Sequence, residues 1–561
     1  MNKQLIECVP NFSEGNDMQI IKQITDQIEL VEGVRLLDVD PGKATNRTVV
    51  TFVGTPDEVI EAAFLAIKKA CEIIDMTKHQ GEHPRFGATD VCPLVPIANI
   101  SMEETLEYAH KLAKRVGDEL MFPVYCYEFA ALSEQRRNLA AVRSGEYEGL
   151  PEKLLKEEWK PDFGPSTFIP KTGAIAISAR NFLVAYNINL NTTSTRRANS
   201  IAFDVREAGR ILRKGNPISG PVVKDENGKP VRVSGSLKKV KAIGWFIEEY
   251  GMCQISMNLT DITITPVHVA FDEVCKSAQE RGIRVTGSEL VGLIPLQAML
   301  DAGKYFLSKQ QRSLGIADSE IIKIAVKSMG LDELKPFIPN ERIIEYLLDG
   351  NQSSPLISMS LSAFAEETAS ESPAPGGGSI AAYMGSMGAA LATMVANLSS
   401  HKRGWDDRWE EFSKYAEEGK YYYNALLKKV DEDTEAFNLI MAAFGLPKGT
   451  PEEKEKRSQA IQEATKKAIQ VPFETMKLAY ESMNVIKIIA EVGNPNSVTD
   501  AGVGALAARA AVLGAYLNVK INMADLKDEN FRVRISGEAE KIKEAAILKE
   551  VDILKIVEEK I

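Results

Sequence analysis

Between Ile380 and Leu398 the chain carries no charged residue, and Ala, Gly and Met fill much of that interval. A helix without a polar face cannot lie on a protein surface; it crosses a bilayer or is buried among other helices. The length nearly suffices for a bilayer, yet the flanks lack an anchoring pattern. The many small residues, with isolated Ser and Asn, point instead to a helix packed closely on its neighbours. A second helix of this kind is predicted over 501–523, interrupted by Arg509. Beyond the polar stretch Asn351-Gln352-Ser353-Ser354-Pro355, which reads as a linker, the chain is therefore expected to be a helix bundle or helical dimer core with no membrane span.

The first 300 residues follow other rules. A short apolar strand over 5–9 ends at Pro10. A helix over 17–30 follows, with Ile21, Ile24 and Ile28 on one face. Strands are predicted over 34–39 and 48–53. Thr55, Pro56 and Glu58 form a capping box for a helix reaching about residue 74, and a strand starts at Val91. The order is β-α-β-β-α-β, a ferredoxin-like arrangement. Ser101 and Glu104 start a further helix carrying His110, and 123–127 is a strand. The order then recurs: strand 182–189, helix 194–213, strands 240–247 and 255–264, helix 266–281, and a strand from 283. Residues 215–238 interrupt this second unit as an exposed insertion. Two such units packed sheet against sheet leave a cleft, where ligands often bind. The fold class expected is α+β plus all-α: two ferredoxin-like βαββαβ subdomains followed by a helical-bundle domain.

A length of 561 residues suits three or four domains at about 150 residues each. The net charge of −11 argues against a nucleic-acid partner, and it means that an anionic substrate needs a local basic patch. The start of the sequence shows no signal-peptide core. The six cysteines show no CxxC pairing, so reduced thiols, a cytoplasmic location and no metal site are expected.

Two constellations carry candidate chemistry. The first is His79-Gln80-Gly81-Glu82-His83-Pro84-Arg85-Phe86-Gly87, leading through Asp90 into the strand from Val91. Pro84 keeps His83 out of the helical region, and a histidine in a polar turn is a natural general base. The letters also match H-x-x-E-H, which binds zinc on a helix, although Gly81 and Pro84 oppose a helix. A structural turn is the third reading. Downstream, Pro161 to Gly173 is a Pro/Gly-stiffened loop with two aromatics. It suits lining a flat ring or joining domains, and composition leaves both open. The second constellation begins at Pro375-Gly376-Gly377-Gly378-Ser379, whose backbone N–H groups could receive an anion or simply give a flexible start to the helix. No Lys-Ser/Thr follows, so a nucleotide P-loop is not supported. Asp433, within Asp431-Glu432-Asp433-Thr434-Glu435, lies three residues from Val430 and Ala436, nearer the apolar side of its helix. There its pKa can rise enough for acid or base work. The loop over 494–500 is expected to close the same cleft.

Cys8-Val9-Pro10-Asn11-Phe12-Ser13-Glu14-Gly15, the Gly81 to Gly87 stretch and Asp162-Phe163-Gly164-Pro165 resemble the glutamate formiminotransferases. The Pro375 to Ser379 loop, Asp431 to Asp433 and the closing helix resemble formiminotetrahydrofolate cyclodeaminase. Together the chain resembles the bifunctional formiminotransferase-cyclodeaminase family over nearly its whole length. The resemblance implies transfer of the formimino group of N-formimino-L-glutamate to tetrahydrofolate, a co-substrate that is polyglutamylated. Cyclisation to 5,10-methenyltetrahydrofolate with release of ammonia then follows, in histidine degradation. It implies His83 as catalytic residue of the transfer, with Asp40 orienting or charging it. The folate loop would be Gly164, Pro165, Ser166, Thr167, Phe168, Ile169, Pro170, Lys171, Thr172 and Gly173. Asp433 would be catalytic in the cyclisation, with Gly376, Gly377 and Gly378 on the ligand. Arg85, Arg47 or Lys171 would meet the anionic folate tail. The implied division is 1–180 and 181–327 for the transferase subdomains, 328–357 for a helical linker and 358–561 for the cyclodeaminase, in a homo-oligomer with dimer interfaces in both domains. The 215–238 insertion is longer than the family pattern. Competing readings are a cyclohydrolase-type second domain and a folate-binding protein with dead sites.

Overall fold

A computed structural model describes residues 4–43, 45–81, 84–216, 219–349 and 356–561. The chain divides into two compact units, Met1–Ala302 with Met329–Gly350, and Gly303–Ser328 with Asn351–Ile561. The first is rich in sheet and the second is helical.

The first unit starts β1 (Leu5–Cys8), β2 (Asn11–Phe12), α1 (Met18–Glu29), β3 (Arg35–Gly42), β4 (Arg47–Gly54), α2 (Pro56–Ile73) and β5 (Thr89–Ala98). Local chemistry sets these bounds. The Asp17 carboxylate accepts from the N–H groups of Gln19 and Ile20, and α1 buries Ile21, Ile24 and Ile28. Thr55 and Glu58 close the predicted capping box of α2, with Pro56 in its first turn. α3 (Met102–Leu120), β6 (Val124–Glu128), α4 (Leu139–Val142), α5 (Leu150–Leu154) and β7 (Ile175–Ala179) follow.

β1 and β2 lie between β4 and β5, and β3 pairs outside β4. On the other side β7 sits between β5 and β6, parallel to both. The sheet therefore has seven strands. The sequence reading did not foresee β7, because a five-residue strand after a Pro/Gly loop has too little pattern of its own. One sheet face carries Ile6, Cys8, Phe52 and Leu94 onto Ile24, Ile67 and Leu112 of the helices. Alternation puts Glu7 on the other face, where it is nonetheless buried.

β8 (Val184–Leu190), α6 (Thr195–Val205), β9 (Arg210–Ile211), β10 (Arg232–Val233), β11 (Val240–Ile247), β12 (Met252–Leu259), α7 (Val267–Gln279) and β13 (Val285–Val291) form the second part of this unit. Their main sheet is antiparallel, in the order β11-β12-β8-β13. The helix predicted over 194–213 stops at Val205, because β9 pairs with β10. That two-stranded ribbon uses part of the predicted insertion, of which residues 217 and 218 lie outside the described residues.

Next come α8 (Leu296–Lys309), α9 (Asp318–Met329), α10 (Pro339–Arg342) and α11 (Ile344–Asp349). The predicted linker over 351–355 lies outside the described residues. The helical unit continues with α12 (Leu361–Thr368), α13 (Gly377–Ser400), α14 (Trp409–Phe444), α15 (Pro451–Val492), α16 (Val498–Asn522) and α17 (Glu529–Glu558). The two apolar stretches are α13 and most of α16, both long and apolar enough to cross a membrane. Here they supply Ala381, Ala392, Val395, Ala501, Ala505, Ala508 and Val512 to the core of the bundle. Their backbones nearly touch: a Cβ on Gly388 would stand 2.7 Å from the Gly504 carbonyl oxygen.

Candidate functional sites

Glu82 and His83 lie outside the described residues, but the backbone on both sides of them is fixed. On the N-terminal side the anchor is Asn46, at φ +46°. Its amide nitrogen donates to Gln80 O at 2.8 Å, and its carbonyl oxygen lies 2.8 Å from His79 Nε2. Its side-chain oxygen accepts from Gly15 N at 3.0 Å and Asn16 Nδ2 at 2.8 Å. Arg85 Nε donates to His79 Nδ1 at 3.2 Å, so Nε2 carries the ring proton and donates to Asn46. His79 is thus held at both ring nitrogens.

On the C-terminal side Asp90 Oδ1 accepts from Phe86 N at 3.0 Å, and Ser13 Oγ donates to Gly87 O at 2.7 Å. Ala88 N donates to Thr172 O at 2.8 Å and Ala174 N to Phe86 O at 2.9 Å, so this segment is stitched to the end of the 161–173 loop. Only glycine fits the crossing: a Cβ on Gly87 would stand 1.9 Å from Ala174 O. Neither 79–81 nor 84–86 is helical, and no three His, Cys, Asp or Glu side chains are grouped for a metal among the described residues.

The 161–173 loop is anchored at both ends. Asp162 accepts from Cys126 N at 2.7 Å and from Arg136. Gly173, at φ +71°, donates its N–H to Ile169 O at 2.8 Å. Between the anchors Gly164, Ser166, Thr167, Pro170 and Lys171 are exposed, while Pro165, Phe168, Ile169 and Thr172 are half-buried. Phe168 leans on Tyr147 with ring centres 5.5 Å apart, and Tyr147 Oη donates to Pro170 O at 2.5 Å.

Asp40 is exposed on β3, opposite Val49. The half-buried Asp38 beside it is held above the usual carboxylate range by burial and by the Asp40 charge. Of the three cations nominated for an anionic tail, Arg85 is bound to Glu148 and Glu146, and Lys171 Nζ donates to Glu72 O. Arg47 shares Asp90 with Arg143, and the Lys171 contact is to a neutral carbonyl.

In the helical unit, Val430 and Ala436 are buried, and the face of α14 between them brings Asp433 against the first turn of α13. A Cβ on Gly378 would stand 2.2 Å from Asp433 Oδ1. Ser379 donates its backbone N–H to the Asp433 carboxylate, and its Oγ lies 3.4 Å from Oδ2 while donating to Val430 O at 2.8 Å. Burial pushes the Asp433 carboxyl above its ordinary range despite those hydrogen bonds. Gly377 faces the Asn518 amide, whereas Gly376 has open space beside it. Of the three glycines, Gly378 is the one that meets Asp433.

The 494–500 loop does not join them. Asn494 N donates to Ser399 Oγ at 2.8 Å, at the far end of α13. Ser379 and Ser399 are separated by about 30 Å at 1.5 Å per helical residue. An open groove of about 430 Å³ between α14 and α15 contains no candidate residue. In its wall Lys429 bridges Glu432 and Glu474.

Sequence reasoning missed Asn46, Arg143 and Asn518, and quoted Asp90 and Ser379 without giving them a role. Asp90 stood inside the quoted stretch. Asn518 could have been noticed as a lone amide in an apolar helix.

Residues 5–180 match the profile of the formiminotransferase domain, N-terminal subdomain, residues 185–349 that of the formiminotransferase domain, and residues 360–541 that of formiminotransferase-cyclodeaminase. The formimidoyltransferase-cyclodeaminase of Gallus gallus is 44% identical over 544 residues, 97% of each chain. A glutamate formimidoyltransferase of Thermoplasma acidophilum is 44% identical over 305 residues, 54% of this chain and 92% of its own. A methenyltetrahydrofolate cyclohydrolase of Methylorubrum extorquens is 40% identical over 168 residues, 30% of this chain and 81% of its own. The chain belongs to the formiminotransferase-cyclodeaminase family.

Proposed function

We propose that the protein transfers the formimino group of N-formimino-L-glutamate to tetrahydrofolate, and then cyclises the product to 5,10-methenyltetrahydrofolate with loss of ammonia. The observation that carries this is the 44% identity to a formimidoyltransferase-cyclodeaminase across 97% of both chains. Tetrahydrofolate is the co-substrate, in polyglutamylated form.

In the first reaction N5 of tetrahydrofolate attacks the formimino carbon and loses a proton, which His83 accepts. The departing glutamate nitrogen takes that proton back, and the C–N bond to glutamate breaks. Asp40 orients or charges the histidine, and Gly164 to Gly173 lie along the folate. In the second reaction N10 attacks the same carbon. Asp433, with its raised affinity for a proton, takes the N10 proton and delivers one to the nitrogen that leaves. Gly376, Gly377 and Gly378 let the folate approach the first turn of α13.

In this reading both main sheets of the first unit are ferredoxin-like, with three further strands, β2, β6 and β7, on the first. Support comes from the strand orders β3-β4-β1-β5 and β11-β12-β8-β13, which are the same permutation. Residues 1–180 and 181–327 are the transferase subdomains, 328–357 the linker and 358–561 the cyclodeaminase. The protein works in the cytoplasm, a reading supported by six free thiols. It is a homo-oligomer with contacts in both domains.

Purified protein given formiminoglutamate and tetrahydrofolate should release glutamate and ammonia in equal amounts while methenyltetrahydrofolate appears. Absence of glutamate would refute the transfer reaction. The similarity to a cyclohydrolase favours one competing reading for the helical unit. That reading requires turnover of formyltetrahydrofolate to exceed turnover of formiminotetrahydrofolate.

A further inference from the structure

In a protein of net charge −11, an anionic substrate needs a local excess of positive charge. Asp90 marks such a place. Its carboxylate is fully buried, and one oxygen, Oδ2, accepts from both Arg47 Nη1 and Arg143 Nη2. Its other oxygen is committed to Phe86 N. Arg47 also donates Nε to Asn11 Oδ1 at 3.0 Å. Arg143 Nε is buried and meets no acceptor among the described residues.

Two guanidinium charges therefore share one carboxylate. Burial raises the pKa of the neighbouring Tyr127 phenol, so it stays neutral and adds no negative charge. Other buried arginines in this unit are more fully satisfied: Arg210 and Arg281 also share one carboxylate, that of Asp204, but donate further to Ser200 O, Ser200 Oγ, Ser277 O and Ser277 Oγ. Arg85 has two glutamates, and Arg136 has Asp162 with the carbonyls of Glu158 and Lys160. An uncompensated buried charge is costly, and such exceptions concentrate where ligands bind. The Arg47 and Arg143 side chains keep small exposed edges, 9% and 14%. The same Asp90 anchors Phe86, three residues after His83.

We propose that Arg47 and Arg143, held side by side by Asp90, bind a substrate carboxylate at the transferase site. The free N–H edges of two guanidiniums match the two oxygens of one carboxylate. This rests on the transferase reading of the site. Both substrates of that reaction carry the chemistry, formiminoglutamate in its own carboxylates and tetrahydrofolate in its glutamate tail.

The test is steady-state glutamate release by the full chain and its Arg143→Met and Arg143→Lys variants. Titration with L-glutamate and a melting curve accompany it. Arg143→Met should raise KM for one substrate at least tenfold with kcat within twofold and the melting midpoint unchanged, and Arg143→Lys should recover part of the loss. If KM for formiminoglutamate rises and L-glutamate binding weakens, the donor carboxylate is held there. If KM for tetrahydrofolate rises and tetrahydropteroate, which lacks the glutamate tail, becomes as good a substrate, the tail is held there. Unchanged KM for both, or a fall in kcat alone, overturns the proposal. Failure of the wild type to release glutamate would instead refute the transferase reading. In that case unaltered L-glutamate binding by Arg143→Met would also overturn the carboxylate site.

Discussion

The two candidate sites are shaped by opposite means. At residues 79–81 and 84–87 the backbone is irregular, and side chains beyond it hold it: Asn46 from the turn before β4 on one side, Ser13 after β2 and Asp90 at the start of β5 on the other. Around Asp433 the backbone is regular helix, and the site exists because side chains are missing, with Gly378 admitting the carboxylate to the turn. A loop site of the first kind depends on each polar partner being present. A helical site of the second kind depends on volume. The first should therefore fail when a hydrogen-bonding group is removed, and the second when a methyl group is added.

The largest effect expected from this contrast is at Asp90. Asp90→Ala leaves two buried guanidiniums without their shared partner, which should cost the first unit about 3–5 kcal/mol. Denaturant unfolding followed separately for the two units would show it, and a loss below about 1 kcal/mol would mean that solvent already screens the cluster.

Next comes Glu7, whose carboxyl is pushed up to about 7 by burial, with Arg180 opposing. A pKa raised in the folded state means that the folded chain binds the proton more tightly. The stabilisation is complete below about pH 4.5 and is lost as pH rises through about 7, with a span of about 3 kcal/mol. Glu7→Gln should flatten that slope, and an unchanged pH dependence would show that the carboxylate finds solvent.

A methyl group at the helix crossing is the converse test. Gly388→Ala would press on Gly504 O and should destabilise the helical unit by about 1–3 kcal/mol, read from its own unfolding transition. The smallest effect concerns a purely local device. Ser101 accepts from Glu104 N at 3.1 Å to cap α3, and Ser101→Ala should cost about 1 kcal/mol in the same assay.

These effects also separate what was legible in the sequence from what was not. The helix starts at Asp17, Thr55 and Ser101, the strand-helix order and the two apolar helices could be read directly, because capping and periodicity are local. The Gly376–Gly378 turn and Asp433 could be paired only through the family resemblance, since nothing local joins residues on two different helices. The pairing of Asp90 with Arg143, 53 residues away, left no trace in spacing. Nor did the insertion of β7 between β5 and β6, since parallel neighbours are chosen by tertiary packing. The 494–500 loop misled because a polar loop before an apolar helix says nothing about which end of the bundle it occupies.

The central claim is that one chain holds two separate reactions, transfer at the clamped loop and cyclisation where Asp433 meets α13. The most direct measurement follows glutamate, 5-formiminotetrahydrofolate and ammonia together in the wild type, His83→Ala and Asp433→Asn. The account predicts no glutamate from the histidine variant, which should still release ammonia from supplied 5-formiminotetrahydrofolate. It predicts normal glutamate from the aspartate variant, with 5-formiminotetrahydrofolate accumulating and ammonia absent. Failure of the histidine variant to release ammonia from supplied 5-formiminotetrahydrofolate, or failure of the aspartate variant to release glutamate, with both proteins folded, would contradict it.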